Sequence, residues 1–382
     1  MGTRWKERIT PSARRRTDEK SLSIVNENRG GDNVSKITLR RAAGVALAGL
    51  ALAGPFAYGN AHASTKTMVP SHKGNYTIGW ADIYLTPSWM QETKQMIDSE
   101  ANRLKSQGLT KFQIFNANGD TSQQIAQIRS MIDQHYSAIV VDAGSATALN
   151  PVIDEAVAKG IPVVNFDSLV TSPKPIKVDT DQRKWGVITG KWLVKKLHGH
   201  GKIIAMNGPA GVSVSEDRWS GAYSVLKKYP KINIVANVHS EYNIAPAEQA
   251  FTPVLSAHPD ISGVYSQGGA LSAGALQVLL KTHHKLVPMP GENYNGFLKT
   301  WKAQLKHGFS SIAPAQPNYL AVIALDAAVN KLQGKSVKQY VNVPLPLITD
   351  KNLGSFVPNK YPDDWYPVKM LSQSNIQKLI KG

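Results

Sequence analysis

The chain has 382 residues, 42% hydrophobic and 19% charged, enough apolar material for a sizeable core divided over two domains and too much for a disordered chain. Its 44 Lys and Arg against 27 Asp and Glu give a formal charge of +17, which raises the question of nucleic acid or an anionic surface, but eleven of the basic side chains stand in residues 1–41. Cysteine is absent, excluding disulfides, thiolate nucleophiles, Cys-ligated zinc, iron–sulfur clusters and a lipid-modified cysteine anchor.

In chain order, the first feature is an uncharged stretch from Ala42 to Thr65, directly after Arg40 and Arg41. Its apolar part, Ala42 to Ala57, is rich in Ala and Gly and stopped by Pro55, short of the ~20 residues a membrane span needs. It leads into Ala61-His62-Ala63, a small-x-small peptidase site. Residues 1–63 therefore read as an export signal with a long basic front, cleaved after Ala63, and the mature chain as soluble and periplasmic. Arg40-Arg41 before a weakly apolar segment resembles a twin-arginine signal, with a general secretory signal as the alternative.

From Tyr76 onward, short apolar runs alternate with amphipathic helical stretches. Strands are expected at 76–81, 111–116, 138–142 and 161–166, with helices at 88–107, 122–134 and 150–159 between them. Met90, Ile97, Ala101 and Leu104 share one face of the first helix, and Gly108 stops it. After a break at Ser172-Pro-Lys-Pro175 a second set follows. Its strands are expected at 202–206, 233–238, 263–266, 286–289 and 310–313, and its helices from Asp181, Ser215, Pro246, Leu271 and Asn295. The fold class is α/β, two doubly wound parallel sheets. Ligands of such sheets bind at the carboxyl ends of the strands, which points to the loops opening at Ala81, Phe166, Gln267 and Gly291.

No Gly-x-Gly-x-x-Gly after a strand, Walker loop, Gly-x-Ser-x-Gly or His-Glu-x-x-His occurs. His198, His200, His283 and His284 sit in Lys-rich helix ends without carboxylates beside them, so no metal site and no cofactor are expected. Three segments do form a pattern: Gly119-Asp120 with Gln123, Gln124, Gln127 and Ile128; Ala138 to Asp142; and Ala156-Val-Ala-Lys-Gly-Ile-Pro-Val-Val-Asn-Phe-Asp167. Together with Ala257-His-Pro-Asp-Ile-Ser-Gly-Val-Tyr-Ser-Gln267, they resemble the periplasmic sugar-binding proteins of ABC importers, of the ribose-binding type.

That resemblance implies a type I periplasmic binding protein: two lobes joined by a three-strand hinge that close on one sugar or polyol and deliver it to an ABC transporter permease, without bond chemistry and as a monomer. The first lobe would be 75–179 with 317–340, the second 180–316 with 341–350, and 351–382 a C-terminal extension of no assigned role. A sugar needs carboxylates and amides around its edge and aromatic walls on its C–H faces. The family pattern places Asp82, Trp89, Asp167, Arg218, Tyr242, Gln267, Glu292 or Asn293, and Gln316 at these positions. Ser168 stands where the family has Arg, and Gly268-Gly269 where it has Asn-Asp. The site is thus expected to be roomier and less polar than one for ribose, taking a larger or less hydroxylated ligand. The alternatives are a sugar-sensing module for a chemoreceptor or kinase, and a secreted hydrolase using Asp82 and Asp167. A nucleic-acid-binding repressor of the same core would need a helix-turn-helix where Ala42 to Ala57 stands.

Overall fold

The computed structural model describes residues 74–357 and 361–382. The export signal expected at 1–63 lies outside them. The first body begins β1 (Tyr76–Asp82), α1 (Ser88–Leu104), β2 (Leu109–Asn116), α2 (Thr121–Asp133), β3 (Ala138–Asp142), α3 (Asn150–Ala158), β4 (Val163–Phe166) and β5 (Ile176–Asp179). The expected first helix runs to Gln107, but its last turn tightens to 3-10 geometry over residues 105–107, and Gly108 takes the left-handed stop at φ 101°. Asp120 caps α2, its carboxylate accepting the N–H groups of Ser122 and Gln123.

The second body contains α4 (Gln182–Lys196), β6 (Gly201–Asn207), α5 (Ser213–Leu226), β7 (Ile232–His239), α6 (Ile244–Ala257), β8 (Gly263–Ser266), α7 (Gly269–Lys281), α8 (Asn295–Gln304) and β9 (Ile312–Pro314). The chain then returns through α9 (Leu320–Leu332) and β10 (Tyr340–Asn342) to the first body, crosses back for β11 (Leu347–Thr349), and ends in α10 (Gln373–Ile380).

All six strands of the first sheet are parallel, in the order β10-β5-β4-β3-β1-β2; the second sheet is parallel in the order β7-β6-β8. In both, the strand order reverses at the first strand, opening a crevice at the carboxyl ends beside Asp82 and Asn207. Two expectations fail in the second body. Residues 286–289 form no strand: Pro288 accepts one bond from the Val264 N–H at 3.1 Å, but Pro288 and Pro290 have no N–H to continue a ladder. The strand expected at 310–313 forms two residues later, as β9, and pairs antiparallel with β11 instead of joining the parallel sheet.

Each sheet is covered on both faces, as parallel sheets require. On the first, α2 and α3 pack one side through Ile128, Ile132, Val152 and Ile153, while α1 and α9 cover the other with Ile97, Leu104 and Leu325. The buried α9 is apolar around nearly its whole circumference. On the second, α4 and α5 cover one face, and α6, α7 and α8 the other. Helices α4 and α5 touch backbone to backbone: a Cβ on Gly186 would fall 1.9 Å from the Arg218 carbonyl oxygen, and one on Gly221 2.1 Å from that of Arg183. Among the described residues, no helix is long and apolar enough to cross a membrane.

Candidate binding site

A cavity of about 60 Å³ lies where the carboxyl ends of the two sheets face each other. From the first body it takes Tyr84, Pro87, Trp89 and Met90 around the start of α1, Asp142 at the end of β3, and Asp167 with Ser168 after β4. The second supplies Val212, Val214, Arg218, Tyr242 and Glu292; Gln316 comes from the passage after β9, and Tyr366 from the C-terminal segment. The bodies also meet directly, where the Leu169 N–H donates to Ser213 Oγ at 2.6 Å.

Arg218 is the cationic centre. It is 2% exposed, and the α4–α5 contact fixes it: Nε donates to Gln182 Oε1 at 2.8 Å, and the guanidinium lies 4.6 Å from the centre of the Trp185 ring. Nη1 donates to the Gln267 carbonyl at 2.6 Å and forms an ion pair with Glu292 Oε1 at 2.9 Å. The other Glu292 oxygen accepts the Gly269 N–H at 3.1 Å.

Asp167 occupies the left-handed region at φ 52°, which turns its carboxylate out of β4. Oδ1 accepts from Gln316 Nε2 at 2.6 Å, and Gln316 Oε1 in turn accepts the Thr180 hydroxyl at 3.0 Å. Burial pushes the Asp167 pKa up to about 6, with Arg218 and the Gln316 bond pulling the other way. Asp142 accepts the Ser168 N–H at 3.0 Å through one oxygen, while the other is buried with no N–H or hydroxyl donor among the described residues. Burial, with Asp167 and Asp82 nearby, holds its pKa well above the ordinary carboxylate range.

Of the residues expected here, Trp89, Asp167, Arg218, Tyr242, Glu292 and Gln316 line the cavity. Asp82, Gln267 and Asn293 do not. Asp82 is fully buried opposite Asp142 in the β1–β3 register, and desolvation raises its pKa strongly. Gln267 turns inward, donating from Nε2 to Asn207 Oδ1 and accepting the Tyr242 hydroxyl at 3.4 Å. Asn293 accepts the Gln316 N–H at 2.9 Å and so positions that residue.

The expectation that Gly268-Gly269 leave extra room is corrected by the packing. A Cβ on Gly268 would meet the Tyr242 ring at 2.8 Å, and one on Gly269 would meet Tyr294 Cβ at 2.4 Å, so two tyrosines already occupy that space. Tyr84, Asp142 and Tyr366 were missed from the sequence. Asp142 was legible by rule, since it closes an apolar strand run at the ligand-binding end of a parallel sheet. Tyr366 carried no local signal.

The periplasmic binding protein domain matches residues 83–336. The chain is 26% identical over 286 residues to the ribose import binding protein of Bacillus subtilis (strain 168), covering 74% of this chain and 91% of the relative. It is 30% identical over 214 residues to the xylitol-binding protein of Mycolicibacterium smegmatis, covering 55% and 59%. The crystal structure of an ABC transporter solute-binding protein from Mycobacterium smegmatis with bound glycerol superposes with a TM-score of 0.67 at 25% identity, covering 78% of this chain and 100% of that one. The chain therefore belongs to the periplasmic binding protein family, and its two doubly wound α/β bodies are those of the type I periplasmic binding protein fold.

Proposed function

We propose that this protein captures a sugar or polyol between two lobes and delivers it to the permease of an ABC importer. One observation carries the reading: the cavity is shared by both bodies and presents carboxylates, an arginine and aromatic rings together, the chemistry a polyhydroxylated ring or chain requires. A ligand bonded to Asp167 on one side and to Arg218 or Glu292 on the other gains affinity only when the lobes meet, so occupancy shifts the population toward the closed form. The lobes are assigned as 75–179 with 317–342 and 180–316 with 343–350, hinged where the chain passes between them; the boundary expected at 340 moves to 342 because Val341 and Asn342 pair with Val178 and Asp179 of the first sheet. The working protein is a periplasmic monomer exported by the signal at 1–63. Its residues bind and do not catalyse.

The relatives named for ribose and xylitol, and the glycerol in the related structure, support small polyhydroxylated ligands. With Tyr242 and Tyr294 filling the space beside the two glycines, a compact ligand such as a pentitol fits better than a large one. A thermal-shift screen over pentoses, hexoses, pentitols, glycerol and myo-inositol tests this. Ligand at about 100 times its Kd stabilises the native state by roughly 2.7 kcal/mol. Pentitol or pentose hits are expected, and no hit from any carbohydrate would overturn the reading.

A further inference from the structure

The chain beyond β11 first stays with the second body. Asp350 accepts from Trp301 Nε1 and from the Ser310 hydroxyl, both at 2.8 Å. Residues 361–365 then cap α8: the Asn295 N–H donates to the Trp365 carbonyl and the Gly296 N–H to the Asp363 carbonyl, each at 2.7 Å. These are N–H groups the helix itself cannot pair. The Asn295 amide adds bonds to the Tyr361 and Pro362 carbonyls at 2.9 and 2.8 Å, and Lys299 pairs with Asp363 at 2.7 Å.

One residue later the chain also bonds the other body, while the Pro367 carbonyl still accepts from Asn293 Nδ2 of the second at 3.3 Å. The Tyr366 N–H donates to Glu92 Oε1 in α1 at 2.7 Å. Further along, Gln373 donates to Glu100 at 3.2 Å, Gln377 bonds Asp326 and Asn330 of α9, and the Ile380 carbonyl accepts the Lys338 N–H at 2.9 Å. Ile376 and Ile380 are fully buried. The segment thus passes between the bodies over residues 365–367, with firm anchors on each side.

In that passage stands a ring that lines the cavity. Tyr366 is 3% exposed and packs edge-to-face on Tyr294 with centroids 5.2 Å apart; its hydroxyl has no hydrogen-bond partner among the described residues. An aromatic wall with an uncommitted hydroxyl suits a polyol's C–H face and its edge. When α1 and α8 separate, either the Glu92 bond or the α8 caps and the Asn293 bond must give, and the ring leaves the cavity with one body. We propose that residues 361–382 are a strap belonging to the binding site: they carry Tyr366 between the lobes as a further ligand-contacting residue that sets specificity, and they restrain cleft opening.

This inference rests on the sugar-capture reading, so its test has one arm with ligand and one without. In the full chain, Tyr366→Ala and Tyr366→Phe are titrated calorimetrically with xylitol, D-ribose, L-arabinose, D-allose and myo-inositol. Tyr366→Ala is expected to weaken the tightest of these at least tenfold and to reorder the panel. Tyr366→Phe, which keeps the packing, is expected to lose three- to tenfold at unchanged melting temperature. Affinities and order unchanged in the folded variants would overturn the contact.

The second arm uses no sugar. The chain lacks cysteine, so Ser122→Cys and Glu241→Cys, exposed and one on each body, take spin labels without competing sites. Adding Asn295→Ala, which removes amide bonds to the strap, is expected to lengthen and broaden the label-to-label distance. An unchanged distribution would overturn the restraint. If no carbohydrate binds the parent, the sugar reading fails while the labels still decide the strap.

Discussion

Arg218 shows what burial demands of a single residue. With Glu292 at 2.9 Å and both side chains buried, removing the cation leaves an uncompensated carboxylate in the interior. Arg218→Met is expected to lower unfolding free energy by about 3–5 kcal/mol in urea titrations, and adding Glu292→Gln to recover part of that loss. Asp167 makes a prediction about binding. Its carboxyl titrates near pH 6, and a hydroxyl donating to it favours the ionised form. Affinity is therefore expected to rise about tenfold from pH 5 to pH 7 and then level off, as the ionised fraction does. Calorimetry across that range checks this, and Asp167→Asn should flatten the profile. Arg218 and Asp167 were legible through their family positions. Asp82 was not placed correctly, because a strand-end carboxylate can turn toward the ligand or the sheet, and only the β1–β3 register buries this one.

At the scale of elements, the α4–α5 contact holds the arginine in place. Gly186 and Gly221 let the helices meet at backbone distance, which brings Gln182 and Trp185 onto Arg218. Gly221→Ala would drive a methyl group to 2.1 Å from the Arg183 carbonyl, so the helices must separate. A loss of roughly 1–3 kcal/mol of stability by urea titration is expected, with ligand affinity falling as Arg218 moves. The helices and strands of the first body were readable from periodicity because each has one buried face or a short apolar run. The exceptions have physical causes. In α9 nearly every face is buried, which erases the period. Residues 286–289 have strand composition but lack an N–H donor at Pro288, and Pro290 follows directly. The short β10 and β11 gain their strand geometry from partners far away in the chain.

For the whole molecule, buried acids dominate the pH dependence of stability. Burial raises Asp167 to about 6, Asp326 to about 7 and Glu92 to about 8, and holds Asp82, Asp142 and Asp179 well above the ordinary range. Each folded pKa exceeds its unfolded value near 4, so between them the native chain holds more protons than the unfolded one. Stability is then greatest at the acidic end of that window and falls as pH rises through the folded values. Urea midpoints are expected to decline from pH 5 to pH 8, with Glu92→Gln lessening the slope near pH 8. The exposed acids whose pKa values are lowered, such as Glu155 and Asp260, oppose this only weakly.

The sequence by itself determined the alternation of strand and helix, the division into two parallel-sheet bodies, and the family, because these rest on local periodicity and contiguous motifs. Only the tertiary structure decided which strand-end polar groups face the cavity, that Tyr242 and Tyr294 fill the space beside Gly268 and Gly269, and that Tyr366 reaches the site from the far end of the chain. The reason is one of range. A period or a turn is written in a few consecutive residues, whereas a pocket is set by side chains that become neighbours only when sheets, helices and the C-terminal segment pack against one another.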